Sequence, residues 1–311
     1  MLRTTTAAAA ALFLSAAPAM AQDWTESPWG PDDEIGAANR ITPESVKAAA
    51  SLVTTGKTYP LGIVVDSSTP AFAPRSLSVT ILQPNQMGTE GFGPTQMTYN
   101  DDIFMGWLGI GPQIDALGHL GIDHVYYNGF EGAEIAKADG MTKLGIEKIP
   151  PLVARGVLLD MAKQLGKSPL DEGTPYTRED IQAAEAAQGV EIREGDVVLF
   201  HSGWLDVLDS DPDRYVKAEP GLGKTGAEYL IEKGVVAIGA DTWGLEAVPF
   251  EEGVGVFEVH QMLLAHNGIY ILENMETREL VADGVGEFMF VLGQARLKGA
   301  VQMIINPIAI R

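Results

Sequence analysis

The sequence predicts an α/β protein with a mixed sheet, folded as a single compact domain. Three observations predict it. Short apolar runs at 153–160, 197–200 and 235–240 are strand-like and each leads into a polar residue. Helix-start patterns lie between these runs. Strand-like segments without intervening helices flank them on both sides. Strands separated by helices pair in parallel, whereas strands joined directly favour antiparallel pairing, so the sheet is mixed.

The first 21 residues stand apart. Met1-Leu2-Arg3 is a short cationic start, Ala7 to Ala17 is an apolar run of small residues, and Ala19-Met20-Ala21 has the A-x-A form of a cleavage site. The run is too short to span a bilayer. Residues 1–21 therefore read as a signal peptide, and 22–311 as the mature domain, periplasmic or secreted.

In the mature part, Trp24 to Asn39 is rich in Pro, Gly and acids and reads as a surface arm. Thr42-Pro43-Glu44 opens a helix to about Leu52, with Thr42 as N-cap and Pro43 in the first turn. Thr58 to Val65 and Ser76 to Leu82 are rich in branched residues and read as strands, and Asn85 to Tyr99 as irregular chain. Asp102 to Gly111 is a strand-like approach to the segment Gln113 to His119. Val153 to Asp160, Val197 to Phe200 and Val235 to Asp241 are buried strands, and Ile269 to Leu272 is a fourth strand running into Glu273. Helices are expected from Thr177 to Gln188, Gly223 to Lys233 and Val259 to Ala265. The tail alternates at Glu287 to Leu292 and again at Gly299 to Ile305, the pattern of an antiparallel hairpin.

Composition excludes several functions. The chain has 21 basic and 42 acidic residues, a formal charge of −21, and removal of Arg3 with the leader takes it to −22. Nucleic acid and anionic membrane are attracted to basic surface, so neither is expected as a partner of the mature form. There is no cysteine, which rules out a thiol nucleophile and leaves only nitrogen and oxygen ligands for a metal. No Gly-x-Ser-x-Gly elbow is present, and Gly221 to Thr225 lacks the spacing of a phosphate loop.

Polar chemistry concentrates in Gln113-Ile114-Asp115-Ala116-Leu117-Gly118-His119. A helix would stack Asp115 on His119, and a strand would put Gln113 and Asp115 on one face. Either arrangement suits a metal or acid/base site. In open α/β sheets ligands sit beyond the carboxyl ends of strands. His201, Asp241 and Glu273 occupy such places, and His260 lies on a helix just ahead of one. These four are candidates to share a site with Asp115 and His119. A strand-end acid also serves as a helix cap, and a lone histidine as a buried hydrogen-bonding group.

Several motifs together resemble the cyclase family, the metal-dependent hydrolases that include kynurenine formamidase-like and isatin hydrolase-like proteins. They are Trp29 to Asn39, Gln113-x-Asp115-x-x-x-His119, Tyr127-Asn128-Gly129, Gly195 to Leu199, Gly239-Ala240-Asp241-Thr242, Val259-His260 with Glu273-Asn274, and Pro307-Ile308-Ala309. They cover nearly the whole mature chain. The resemblance implies the family's swivelling β/α fold, a divalent metal (Mn²⁺ or Zn²⁺) and a homo-oligomer acting on a small molecule. It implies hydrolysis of an amide, lactam or ester of a cyclic or aromatic compound.

The family's motif is His-x-Gly-Thr-His-x-Asp-x-x-x-His. By resemblance Asp115 is a metal ligand and His119 the catalytic acid/base, while Gly109 and Gln113 stand where the two leading histidines belong. The expected ligand set is then Gln113, Asp115, His260 and Glu273, richer in oxygen than the family's. His201, Asp241 and the aromatic residues Trp107, Tyr126, Trp204 and Trp243 are expected against the substrate. Loss of the two imidazoles leaves two other readings open, a metal-free lyase or isomerase and a catalytically silent binding protein.

Overall fold

A computed structural model of the protein describes residues 26–83 and 88–311; the leader expected at 1–21 and the start of the N-terminal arm lie outside them. Eleven strands are needed to follow the chain. In order they are β1 (Thr58–Pro60), β2 (Leu77–Leu82), β3 (Asp101–Gly106), β4 (Gln113–Asp115), β5 (Leu152–Asp160), β6 (Val197–His201), β7 (Ala237–Ala240), β8 (Tyr270–Glu273), β9 (Glu287–Leu292), β10 (Gln302–Ile304) and β11 (Ile308–Ile310). Nine of them form one mixed sheet in the spatial order β1-β11-β9-β5-β6-β7-β8-β4-β10.

The parallel heart of the sheet is β5-β6-β7-β8. Its residues from Val157 to Leu159, Val197 to Phe200 and Ala237 to Ala240 are buried without alternation, as expected of strands covered on both faces. Helices connect the parallel strands: α2 (Arg178–Gln188), α3 (Trp204–Ser210), α4 (Lys224–Lys233) and a short turn Glu258–His260 that continues as a wider helical turn to His266. The N-terminal helix α1 (Pro43–Ala50) packs on β5, as does α2. Both α1 and α2 open with a reciprocal cap, Thr42 with Ser45 and Thr177 with Asp180.

Antiparallel strands flank this heart. On β9 every second residue is buried, and Phe288, Phe290 and Leu292 form its inward face. Phe288 lies in register with Gly156 of β5, where an added Cβ would stand 2.1 Å from the Phe288 ring. The phenyl ring occupies the volume that a side chain at 156 would need.

The structure revises four expectations. The strand expected at 58–65 ends at Pro60, although the chain curls on so that Gly62 bridges Met275 beyond β8. The strand expected at 102–111 stops at Gly106 and pairs only with β2, forming a separate two-stranded ribbon outside the sheet. The helix expected at 259–265 changes from α to π geometry after His260. The tail is not a hairpin, because β9 and β10 lie near opposite ends of the sheet. Between them the chain is held against residues 140–149, where Gln294 donates to the carbonyls of Ile146 and Ile149 and Gly299 packs on Gly140. It then delivers β10 to β4. Alternation showed correctly that both segments are strands, but not which strand each would choose.

Replacing Gly156 with Val should force the Phe288 ring out of its site and cost roughly 1–3 kcal/mol of stability. Chemical denaturation of the variant would measure it. An unchanged midpoint would show that the sheet yields there without cost.

Candidate functional site

Strands β4, β8 and β10 build the site. Gln113 and Asp115 are two apart on β4 and so face the same side of the sheet. Gln113 is in register with Glu273 of β8 and Asp115 with Gln302 of β10, so four polar side chains meet near one edge of the sheet. His260 enters from the turn ahead of β8, and all five residues are buried.

The hydrogen bonds set the orientation of each group. The Gln113 amide donates to Glu273 Oε2 (2.6 Å) and, more weakly, to Asp115 Oδ1 (3.4 Å). The Gln302 amide donates to Asp115 Oδ1 (2.7 Å). His260 Nδ1 bonds Glu246 Oε1 (2.5 Å), which turns Nε2 toward Glu273 Oε1 (3.4 Å). Each central carboxylate thus has one oxygen held by an amide and one left toward the middle. Asp115 Oδ2 is buried without a hydrogen-bond partner, 3.9 Å from His119 Nε2. His119 follows a tight turn after β4, its amide bonded to the Ala116 carbonyl, and its side chain keeps about a fifth of its surface exposed.

Two carboxylates this close oppose each other's charge. Burial and the neighbouring Asp115 raise the Glu273 pKa. Burial works against a charged His260, but its bonds to Glu246 and Glu273 outweigh that and raise its pKa. His119, desolvated by its surroundings more than it is helped by Asp115, has a lowered pKa and is neutral near pH 7.

Donor atoms of Asp115, His260 and Glu273 lie within 4.8 Å of one another. The set fits a divalent cation. It offers two carboxylate oxygens and an imidazole nitrogen, the orphaned Oδ2 among them, and Glu246 fixes the imidazole through its other nitrogen, as carboxylates do behind metal-binding histidines. Gln113, expected as a metal ligand, is placed with its amide nitrogen on the carboxylates of Glu273 and Asp115. Gly109 is explained by Gln302, because a Cβ at 109 would stand 2.2 Å from the Gln302 amide oxygen.

A small pocket opens onto the cluster, lined by Phe72, Arg75, His119, Trp243, Phe257 and Gln302 among others. Larger hollows lie elsewhere. The one at Leu158, Asp160 and Gln188 offers little chemistry, since the Gln188 amide is spent on the backbone of Asp160 and Leu158.

The other expected site residues are placed apart. His201 bonds Thr277 Oγ1 (2.8 Å) and lies 3.4 Å from Asp241, at the end of β6 and two strands from Glu273 on β8. Asp241 accepts from the backbone of Ser202, Gly203 and Trp204 and from the Ser202 hydroxyl, so it secures the start of α3. Trp204 is buried core, stacked on Tyr215. Trp107 is exposed at the root of the ribbon, and Tyr126 packs against Gly121 and Gly132. Of the four aromatic residues expected against substrate, Trp243 alone lines the pocket. Ending a strand in a polar residue was not sufficient, since the register of each strand decides which cluster it joins.

Phe72, Arg75, Glu246, Phe257 and Gln302 were not anticipated. Gln302 had a usable signal, being a lone amide within the apolar run 301–305. Two segments of the motif set, Trp29 to Asn39 and Tyr127-Asn128-Gly129, prove to bind each other. Tyr127 Oη donates to Asp33, and the Asn128 amide donates to the carbonyls of Gly30 and Asp33.

Comparisons with known proteins agree with this architecture. The Cyclase family model matches residues 59–247. The crystal structure of a novel cyclase is 34% identical, with a TM-score of 0.82 over 91% of this chain and 96% of its own. Isatin hydrolase A from Ralstonia solanacearum is 18% identical, with a TM-score of 0.64 over 86% of this chain and 98% of its own. A predicted metal-dependent hydrolase from Bacillus stearothermophilus is 18% identical, with a TM-score of 0.53 over 81% and 97%. The last two show likeness of fold. No curated protein sequence matches.

Asp241→Asn should leave the Asp115 cluster intact but set an amide against backbone N–H groups, lowering stability by roughly 1–3 kcal/mol. Thermal unfolding and metal content, measured together on the variant, check both parts.

Proposed function

The chain belongs to the cyclase family, and from that premise we propose that it is a metal-dependent hydrolase of a small amide, lactam or ester. The observation that carries this reading is the convergence of Asp115, His260 and Glu273, with the unpartnered Asp115 Oδ2 beside neutral His119. Asp115, His260 and Glu273 would hold the ion. When bound, a divalent ion supplies Lewis acidity and lowers the pKa of water at neutral pH.

The protein's own groups do the rest. His119 is neutral and partly exposed at the pocket, so its imidazole takes a proton from attacking water and returns it to the leaving nitrogen or oxygen. Asp115 Oδ2 stabilises the imidazolium formed in between. Glu246 keeps His260 in one orientation, while Gln113 and Gln302 keep the two carboxylates from turning. Phe72 and Trp243, stacked at 5.9 Å between ring centres, give an apolar wall suited to a flat substrate. Whether the ion is Mn²⁺ or Zn²⁺ depends on donor hardness, and the two carboxylates favour the harder Mn²⁺.

A second reading is favoured by the same hydrogen bonds. The amides of Gln113 and Gln302, with protonated His260, already offset much of the carboxylate charge, as a metal-free acid/base cluster of a lyase or isomerase requires. Metal content and the mass of the product separate the two readings.

The hydrolase reading expects about one divalent ion per chain, lost in Asp115→Asn. His119→Ala should keep the ion and lower turnover roughly 10²–10⁴-fold in an amide and ester screen. Full activity in His119→Ala, or none of the ion in wild type, would sink it.

We also read the protein as a homo-oligomer. A two-stranded ribbon is marginal alone, yet β2 and β3 expose Val79, Ile81, Ile103, Phe104 and Met105 to solvent. A second copy covering the ribbon would bury them. Light scattering should give a multiple of the chain mass that falls to a monomer in Ile81→Asp/Phe104→Asp; a monomeric wild type would refute this.

A further inference from the structure

Arg75 is the feature of the pocket that the hydrolytic machinery leaves unused. It sits on the loop before β2, partly buried, and is the sole Lys or Arg among the described residues lining the pocket. One guanidinium nitrogen donates to the Gly109 carbonyl at 2.7 Å, which fixes the group in place. Among the described residues no carboxylate pairs with it, although the chain carries two acids for every base. Guanidinium has five N–H donors in a planar fork that matches a carboxylate. Most of those donors remain uncommitted beside the pocket.

A second unspent donor lies in the same wall. The indole Nε1 of Trp243 is buried without a hydrogen-bond partner, and Trp243 and Arg75 together line both this pocket and the adjoining crevice at Pro70, Gly109 and Asn274. A buried donor left unmatched is costly, so the Trp243 indole beside the uncommitted Arg75 fork points to an acceptor brought by the ligand. The Glu273 carboxylate in the same lining would repel an anion, so Arg75 is the group there suited to hold one. The Phe72–Trp243 stack borders the same pocket.

We infer that Arg75 is a substrate-binding residue that selects a small aromatic compound bearing a carboxylate. The anionic group is held by the Arg75 fork, which leaves the scissile carbonyl for Asp115 and His119. This deepens the hydrolase reading and rests on it only for the identity of the reacting bond. An alternative role for Arg75, as counter-charge to the acidic cluster, predicts no preference between charged and neutral ligands.

Benzoate and its neutral analogue benzamide distinguish the two. Each is titrated into the full mature protein as purified, with binding followed by calorimetry. Wild type should bind benzoate more tightly than benzamide. Arg75→Gln should weaken benzoate at least about tenfold, the size expected for loss of a charge-assisted bond, and leave benzamide unchanged. Arg75→Lys should restore only part of the benzoate affinity, because an ammonium lacks the planar fork. Equal binding of the two compounds to wild type, no binding of either, or benzoate affinity that survives Arg75→Gln would overturn the inference. The last result would place the carboxylate on the metal end. Benzoate binding through Arg75 without hydrolysis of any amide or ester would overturn the hydrolase reading and leave this one standing.

Discussion

Two carboxylates buried side by side are the constraint around which this structure is arranged. Asp115 and Glu273 come from neighbouring antiparallel strands, with their charge in a medium that screens poorly. Such a pair persists only if other groups compensate it. The compensators here are specific: two glutamine amides and an imidazole tied to a third carboxylate. Each comes from a different part of the chain, so the constraint spreads outward from two residues to the placement of three strands, a turn and a loop.

That spreading explains details that look unrelated when taken singly. Gly109 has no side chain because the Gln302 amide fills the space beside it. β10 leaves its sequence neighbour β9 and crosses to β4, where Gln302 meets Asp115. Glu246 is buried in a loop because it orients His260. The second cluster at His201 and Asp241 obeys the same rule by other means: there a buried carboxylate is satisfied almost entirely by backbone N–H groups at a helix start.

How much was legible beforehand follows from the range of each interaction. Helices α1 and α2 were readable to within a residue or two, because capping is local chemistry between residues three apart. The parallel strands were readable because burial on both faces leaves continuous apolar runs. That Asp115, His119, His260 and Glu273 would come together was legible through motif resemblance, which carries long-range information that local pattern lacks. Arg75 and Gln302 were missed because their roles depend on strand partners and loop paths that no local pattern encodes. His201 and Trp204 share the local setting of Asp115 and Glu273, and only sheet register sets them in a separate cluster.

The contribution of β10 also bears on how the protein acquires its site. Gln302 bonds a carboxylate 187 positions earlier. A nascent chain that has folded its parallel core still lacks this contact, and Asp115 stays uncompensated until the tail docks. Contacts of such long sequence separation form late and slowly. Completion of the site therefore waits on the docking of β10 against β4, after the parallel strands have come together.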